Sequence, residues 1–253
     1  MTAPLKFLLA IPAYRESRRL PVYLGKLAEA LERQFPGARI QVVDDGSGEA
    51  EQNLLREKIK PIAAQYSCLL ETIWLEENKG KGGAVLTAWD RGNDYPYLGF
   101  VDADGAVSPE EVCRVASLLG GDGDPVFFGS RIKMLGRSIT RTTARHFMGR
   151  FFAFLVGVMI DPGIYDSQCG LKFIPQAGFQ AVRGRLRGHR FAFDVELLAA
   201  LKTSGWPVLE VPIDWEDVPG SKVRLMRDTI RMVTSLWQIR KERLAWMSQR
   251  KNR

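Results

Sequence analysis

Strand-length apolar runs, polar loops and apolar positions at helical spacing follow one another in a repeating order through the first half of this chain. Lys6 to Ile11 is an apolar run closed by Pro12 and the turn Ala13-Tyr14-Arg15-Glu16-Ser17, after which Leu20, Leu24, Leu27, Leu31 and Phe35 recur at helical spacing with Pro21 near the start. A second run, Arg39 to Val43, leads into Asp44-Asp45-Gly46-Ser47-Gly48, and Leu54, Leu55, Ile59, Ile62 and Ala63 mark another helix. The third, Leu69 to Leu75, stops at Glu76-Glu77-Asn78-Lys79-Gly80-Lys81-Gly82-Gly83, and helical character resumes from Ala84 to Trp89. The fourth, Leu98 to Val101, turns into Asp102-Ala103-Asp104-Gly105. Ser108, Pro109 and Glu111 then form a capping box with proline at the first helical position.

Four such units in succession predict an α/β fold, a mostly parallel sheet flanked by crossover helices, with all four loops at one edge. Further strands are predicted over Val126 to Arg131, Leu171 to Ile174 and Val208 to Ile213, and a helix opened by Asp194 and Glu196 runs through Leu201. Between them, Arg137, Arg141, Arg145 and Arg150 accompany Phe147, Met148 and the run FFAFLVGVMI. That run is too short to span a bilayer and suits either a core helix or an interfacial one. From Val223, apolar residues at 226, 230, 233, 237, 244 and 247 form a helical stripe, with Arg224, Arg227 and Arg231 on another face and the basic tail Arg250 to Arg253 beyond. This helix reads equally as one packed on the domain or as one lying on a membrane surface. The expected organisation is a catalytic domain over 1–222, with a donor half to about 130 and an acceptor half after it, followed by a basic amphipathic helix and tail over 223–253.

The loops carry the chemistry. Asp102 and Asp104 sit at a strand's carboxyl end, where open α/β sheets bind ligands, and hard cations such as Mg2+ are shared between one or two carboxylates and phosphates. Asp44 or Asp45 suits a base or ribose, Lys79 and Lys81 suit phosphate, and the glycine-rich start of the next helix offers backbone N–H groups. Neither the dinucleotide-binding glycine fingerprint nor the Walker phosphate loop is present, which argues against a dehydrogenase or a kinase. A net charge of +7 and a pI near 9.4 call for an anionic partner, be it nucleic acid, nucleotide or membrane surface. Acidic loops at the sheet edge disfavour nucleic acid. Cys68, Cys113 and Cys169 are too far apart for zinc spacing and odd in number, which points to a reducing compartment. The opening MTAPLKFLLAIPAY is too short in apolar run for a secretory signal, so the expected location is cytoplasmic.

Taken together, IPAYRE at Ile11, VVDDGS at Val42, NKGKGGAV at Asn78 and DADGA at Asp102 resemble the ordered signature of the family 2 glycosyltransferases of GT-A fold. GSR at Gly129, DSQCGLKF at Asp166, RFAFDVELL at Arg190 and Trp215 with GSKV are similar to the dolichyl-phosphate β-glucosyltransferases and their bacterial polyprenyl-phosphate relatives. The resemblance covers roughly residues 5 to 225. Two departures stand out: the eukaryotic members begin with a membrane anchor, which is not expected here, and Arg15 stands where asparagine is common.

The resemblance implies inverting transfer of a hexose, glucose from UDP-glucose in the first instance, to a polyprenyl phosphate. Pro12, Ala13, Tyr14 and Glu16 would line the nucleotide, with Asp44 and Asp45 on its base and ribose, and Lys79, Gly80, Lys81 and Ala103 near nucleotide and sugar. Asp102 and Asp104 would hold Mg2+ or Mn2+. Ala106 stands where mannosyl relatives supply a glutamine ligand, so water or Gln168 would substitute. The acceptor phosphate would meet Arg131, Arg141, Arg145, Gln168, Arg190, Ser221 and Lys222. Asp104, Arg131, Asp194 and Lys222 would carry the chemistry, with Asp194 at the position of the base in relatives that use hydroxyl acceptors. GDP-mannose as donor, or a glycan hydroxyl as acceptor, is the alternative. Peripheral attachment to the cytoplasmic face of an anionic membrane is expected through Phe147 to Ile160 and the last helix.

Overall fold

The computed structural model describes residues 4–251 except 122, 133, 135, 137, 141–154, 161–162, 190–191 and 219–224, and it does not describe side chains at 140, 225–233 and 249–251. Four strand–helix units open the chain as the pattern predicts: β1 (Phe7–Ala13) and α1 (Leu20–Gln34), β2 (Arg39–Asp44) and α2 (Glu49–Gln65), β3 (Ile73–Trp74) and α3 (Gly80–Trp89), β4 (Tyr97–Val101) and α4 (Pro109–Ala116). Then follow β5 (Val126–Ser130), β6 (Ile139–Thr140), β7 (Leu171–Pro175), α5 (Gln176–Arg183), α6 (Phe193–Ser204), β8 (Val208–Pro212), β9 (Trp215–Glu216) and α7 (Leu225–Lys251).

Seven strands form one sheet in the order β3-β2-β1-β4-β7-β5-β8, and β6 pairs with β9 in a small separate ribbon. Side chains alternate across β1, so that Phe7, Leu9 and Ile11 enter one core layer with α1, α2 and α4, while Leu8 and Ala10 enter another with α3, α5 and α6. Pro12 lies inside β1, in a central strand, where a missing N–H is normally excluded. It is accommodated because β4 pairs with β1 only from Phe7 to Ala10, so that at Pro12 β2 alone remains alongside.

The structure differs from the pattern in four places. β7 is antiparallel to both neighbours: it starts where β4 ends, with Asp102 N donating to Gly170 O at 2.9 Å, and so runs back from the carboxyl edge. The third strand shrinks to two residues and an isolated bridge, Ile40 to Leu69. α3 begins at Gly80, which makes the glycine-rich loop the first turn of a helix. The capping box is half formed, for Ser108 Oγ accepts from Glu111 N at 3.3 Å while the Glu111 carboxylate turns to Arg114 and to Asp214 N.

The residues expected to touch a membrane divide. Phe147 to Phe154 lie outside the described residues. Residues 155–160 are helical, with Val156 and Ile160 buried against Leu236 and Ile239 of α7, whereas Val158 is 65% exposed. Among the described residues no helix is long and apolar enough to cross a membrane.

Because Ser108 is the side-chain cap of α4, Ser108→Ala should lower stability by about 1 kcal/mol and Ser108→Gly by a few tenths in urea denaturation. Equal midpoints for the wild type and Ser108→Ala would show that the cap contributes nothing.

Candidate active site

The carboxyl ends of β1, β2, β3 and β4 bring the four polar loops to one edge, and β7 brings residues 166–170 there from the opposite direction. At its centre, Gly105 adopts a φ of +76° and bends the chain after the two aspartates. Asp104 Oδ1 accepts from Ala106 N at 3.0 Å. Burial, and then the neighbouring Asp102 carboxylate, hold Asp104 above the ordinary carboxylate pKa. Asp102 needs room that only glycine gives: a Cβ on Gly170 would lie 2.1 Å from Asp102 Oδ2. Two hard oxygen donors whose charges oppose each other suit a divalent cation of the Mg2+ or Mn2+ kind, which would relieve that opposition.

Beside them lies a line of alternating charge. Lys81 Nζ is 2.9 Å from Asp102 Oδ1 and 3.1 Å from Asp194 Oδ2. Lys172 Nζ lies 2.6 Å from Asp194 Oδ1. Burial alone would raise the Asp194 pKa, but Lys172 and Lys81 outweigh it and hold the carboxylate below its ordinary value. Burial likewise works against the Lys81 charge, and Asp102 with Asp194 more than restores it. Asp194 is therefore an ionised spacer with one oxygen for each ammonium. Lys172 entered the sequence reading only as a strand residue; the signal that could have found it is a lysine between Leu171 and Phe173 in an otherwise apolar run.

Arg131, just past β5, is fixed on a second carboxylate. Its N, Nε and Nη2 donate to Asp166 at 2.9, 2.7 and 2.8 Å, and its guanidinium lies 5.5 Å from the Trp215 ring centre. Burial would raise Asp166, but Arg131 overrides it and holds the carboxyl at about 2. Glu210 of β8 anchors the arrangement by accepting from Ser130 Oγ, Tyr165 N and Asp166 N. Nε and Nη2 are both committed to Asp166, so the orientation of this charged fork is fixed. Gln168 is half-buried on the same loop.

On the donor side both β2 aspartates serve the loops themselves. Asp44, with no exposure, accepts from Ser47 N, Ser47 Oγ and Gln52 Nε2. Its oxygens are thus engaged inside the β2–α2 turn. Asp45 ties β2 to the next loop by accepting from Asn78 Nδ2 at 2.9 Å and Lys79 N at 2.7 Å. Pro12 is half-buried, Ala13 buried, Tyr14 exposed at the edge and Lys79 exposed. Gly80 and Ala103 are buried beneath them, so they shape the floor. Glu16 binds Arg19. Arg19 Nη1 and Tyr23 Oη are buried without a hydrogen-bond partner among the described residues, and the Asp104 charge acts on both side chains; neither residue was singled out from sequence.

Arg141, Arg145, Arg190, Ser221 and Lys222 fall outside the described residues. A second grouping, His189, Glu196 and Glu242, has ligand atoms within 4.8 Å of one another, but the buried Glu196 already accepts from Arg187 N, Gly188 N and His189 N. Its first task is to shape the loop before α6.

Comparison with known proteins agrees with this geometry. The family model described as glycosyl transferase family 2 matches residues 9–183. The chain is 32% identical over 250 residues to the dolichyl-phosphate beta-glucosyltransferase of Drosophila melanogaster, covering 93% of this chain and 74% of that protein. Against the Mus musculus protein of the same name it is 30% identical over 260 residues, covering 94% and 79%. In fold it is similar to glucosyl-3-phosphoglycerate synthase from Mycobacterium tuberculosis in complex with UDP, with a TM-score of 0.64 at 14% identity over 94% of this chain and 80% of that one. It is similar also to a mannosyltransferase from Pyrobaculum calidifontis in complex with GDP-Man and Mn2+, with a TM-score of 0.59 at 17% identity, covering 94% of this chain and 65% of that one. The mostly parallel sheet with its acidic carboxyl edge is the GT-A arrangement, and the chain belongs to glycosyl transferase family 2.

Proposed function

We propose that this chain transfers glucose from UDP-glucose to a polyprenyl phosphate with inversion at the anomeric carbon. The observation that carries the reading is the contrast within the acceptor half: Asp194 is held ionised between two ammoniums, while Arg131 offers a fixed cationic edge. A hydroxyl acceptor needs a base free to take its proton. A phosphate acceptor is already an anion and needs positioning and charge compensation. The relatives that match over more than nine-tenths of the chain, named dolichyl-phosphate beta-glucosyltransferases, support the same choice.

In this reading Arg131 holds the acceptor phosphate with its oxygen facing C1 of the sugar. The bond from that oxygen to C1 forms on the face opposite the diphosphate, the C1–oxygen bond to the diphosphate breaks, and UDP leaves with the electron pair. No proton moves. Asp102 and Asp104 would hold Mg2+ or Mn2+, which offsets charge on the diphosphate; the neighbours crystallised with Mn2+ support a divalent ion. Lys81, next to Asp102, and the exposed Lys79 add positive charge on the donor side. Asp45 and Tyr14 line the nucleotide end. Arg141, Arg145, Arg190, Ser221 and Lys222 remain candidates for the acceptor.

We place the enzyme peripherally on the cytoplasmic face of a membrane, as a catalytic unit over 1–222 with an appended helix. In α7 the inward positions Leu236 and Ile239 pack on α6, whereas Trp237 is 63% and Leu244 58% exposed, with Arg240 and Lys241 also exposed between them. An aromatic and an aliphatic side chain flanked by cations suit an anionic lipid surface. The three free cysteines support a reducing compartment.

Purified protein with a polyprenyl phosphate, Mg2+ or Mn2+ and labelled UDP-glucose should form a glycolipid, with GDP-mannose tested in parallel. EDTA should abolish the product, and Asp104→Asn should lower the rate on the order of 10²-fold or more. UDP release supported only by a glycan hydroxyl would overturn the reading. Arg131→Lys keeps the charge but loses the fork, so the acceptor KM should rise about tenfold while UDP affinity stays unchanged. An unaltered acceptor KM would remove Arg131 from the acceptor site. Replacing both Trp237 and Leu244 by serine should weaken sedimentation with phosphatidylglycerol vesicles by about tenfold or more; equal binding by the variant would assign attachment elsewhere.

A further inference from the structure

We propose that Lys172, which belongs to no donor or acceptor loop, is a positioning residue: through Asp194 it fixes Lys81 against Asp102, and so sets the cationic side of the diphosphate site. The inference rests on the donor reading above and concerns what holds that site in place.

Lys172 lies on the antiparallel strand β7, opposite Phe100 of β4 and Phe128 of β5. Its side chain has no exposure. Nζ lies 5.2 Å from the centre of the Phe100 ring and 4.6 Å from that of Phe128, and it donates to Cys169 O at 2.6 Å. Desolvating an ammonium inside a sheet is costly, and replacing a buried ion pair, both partners together, by apolar side chains of similar volume is often neutral or stabilising. Packing therefore does not account for a lysine here.

Geometry does. Asp194 gives Oδ1 to Lys172 and Oδ2 to Lys81, so a carboxylate held at one oxygen has its other oxygen aimed. Lys81 Nζ, 4.7 Å from the centre of the same Phe100 ring, is then steered onto Asp102. The other end of the line closes on itself, for Lys172 grips the Cys169 carbonyl while the next residue, Gly170, accepts from Asp102 N and leaves space for its carboxylate. Without Lys172, Asp194 keeps one partner and can turn about its side-chain bonds, and Lys81 loses its fixed place. Arg131 is held by hydrogen bonds to Asp166, which Glu210 anchors in turn, so the acceptor grip is built on contacts other than Lys172, whose charge reaches Asp166 without a hydrogen bond.

The test compares the wild type with Lys172→Met and with the paired replacement Lys172→Met/Asp194→Leu, which removes both buried charges together and keeps the fold if the single variant does not. Outer partners of a site's ligands are typically worth 10- to 100-fold. Calorimetric titration with UDP and Mn2+ should show a dissociation constant raised about tenfold or more. Glucosyl transfer should show a comparably lowered kcat with the acceptor KM within about twofold of the wild type, because the Arg131 fork is untouched. Folded variants with wild-type UDP affinity and kcat would overturn the inference alone, as would a change confined to the acceptor KM. A wild-type protein that binds neither UDP nor UDP-glucose would overturn the donor reading and this inference with it.

Discussion

An ammonium group without solvent exposure in an interior strand of a sheet is tenable only where a carboxylate meets it. Lys172 and Asp194, 2.6 Å apart, are that meeting, and the surrounding charges are arranged in consequence. Asp194 sits in the first turn of α6, where the helix dipole favours negative charge. Lys81 comes from the first turn of α3 and Asp102 from the end of β4, so three elements distant in sequence are brought into register by ionic contacts. Two cations and two carboxylates leave the line neutral. The phenylalanine rings beneath the Lys172–Asp194 end exclude water, which strengthens that contact and penalises its loss, whereas Asp102 at the other end is partly exposed.

How legible this was depends on whether the information lies along the chain or across it. The four strand–loop–helix units could be read because apolar runs, breakers and helical spacing repeat locally, and the loops then fell at the expected edge. The direction of β7 could not be read along the chain: it is set by antiparallel pairing with β4 and β5, with Gly170 O meeting Asp102 N at the carboxyl edge. The single turn of pairing that remains of the third strand escaped for the opposite reason, since Leu69 to Leu75 looks like a strand locally while neighbouring β2 offers pairing only at its two ends. In the site, Asp102, Asp104, Lys79 and Lys81 stood in contiguous motifs. Lys172, Arg19 and Tyr23 matter through contacts made across the fold, and spacing along the chain does not record those.

Arg15 shows a departure acquiring a physical meaning. Its φ is +56°, the left-handed region, and it is the sole non-glycine residue there among those described. Asparagine tolerates that conformation better than arginine, so the asparagine suggested by the resemblance to family 2 enzymes suits the backbone. Arginine in its place costs about 1 kcal/mol, and two contacts offset part of that: its N donates to Ser47 Oγ at 2.8 Å, and its guanidinium lies 5.3 Å from the Tyr14 ring centre. The turn is held by tertiary contacts strongly enough to accept a residue that would not choose it.

The distribution of charge ties donor site, acceptor site and surface into one account. In the proposed reaction a diphosphate leaving group and a phosphate nucleophile repel each other, and the site has to bring them within bonding distance of one carbon. Cations fixed in advance do this without reorganisation during the reaction. Arg131 is immobilised by Asp166, and Lys81 by Asp102 and Asp194, so each cation is tethered by carboxylates before either substrate arrives. Tethering reduces the net positive charge of each site but fixes its direction, which matters more when two anions must be oriented as well as attracted. The excess of seven positive charges over the whole chain then acts at longer range and favours approach of the anionic substrates and surface proposed above, while Arg131 and Lys81 are already committed to position.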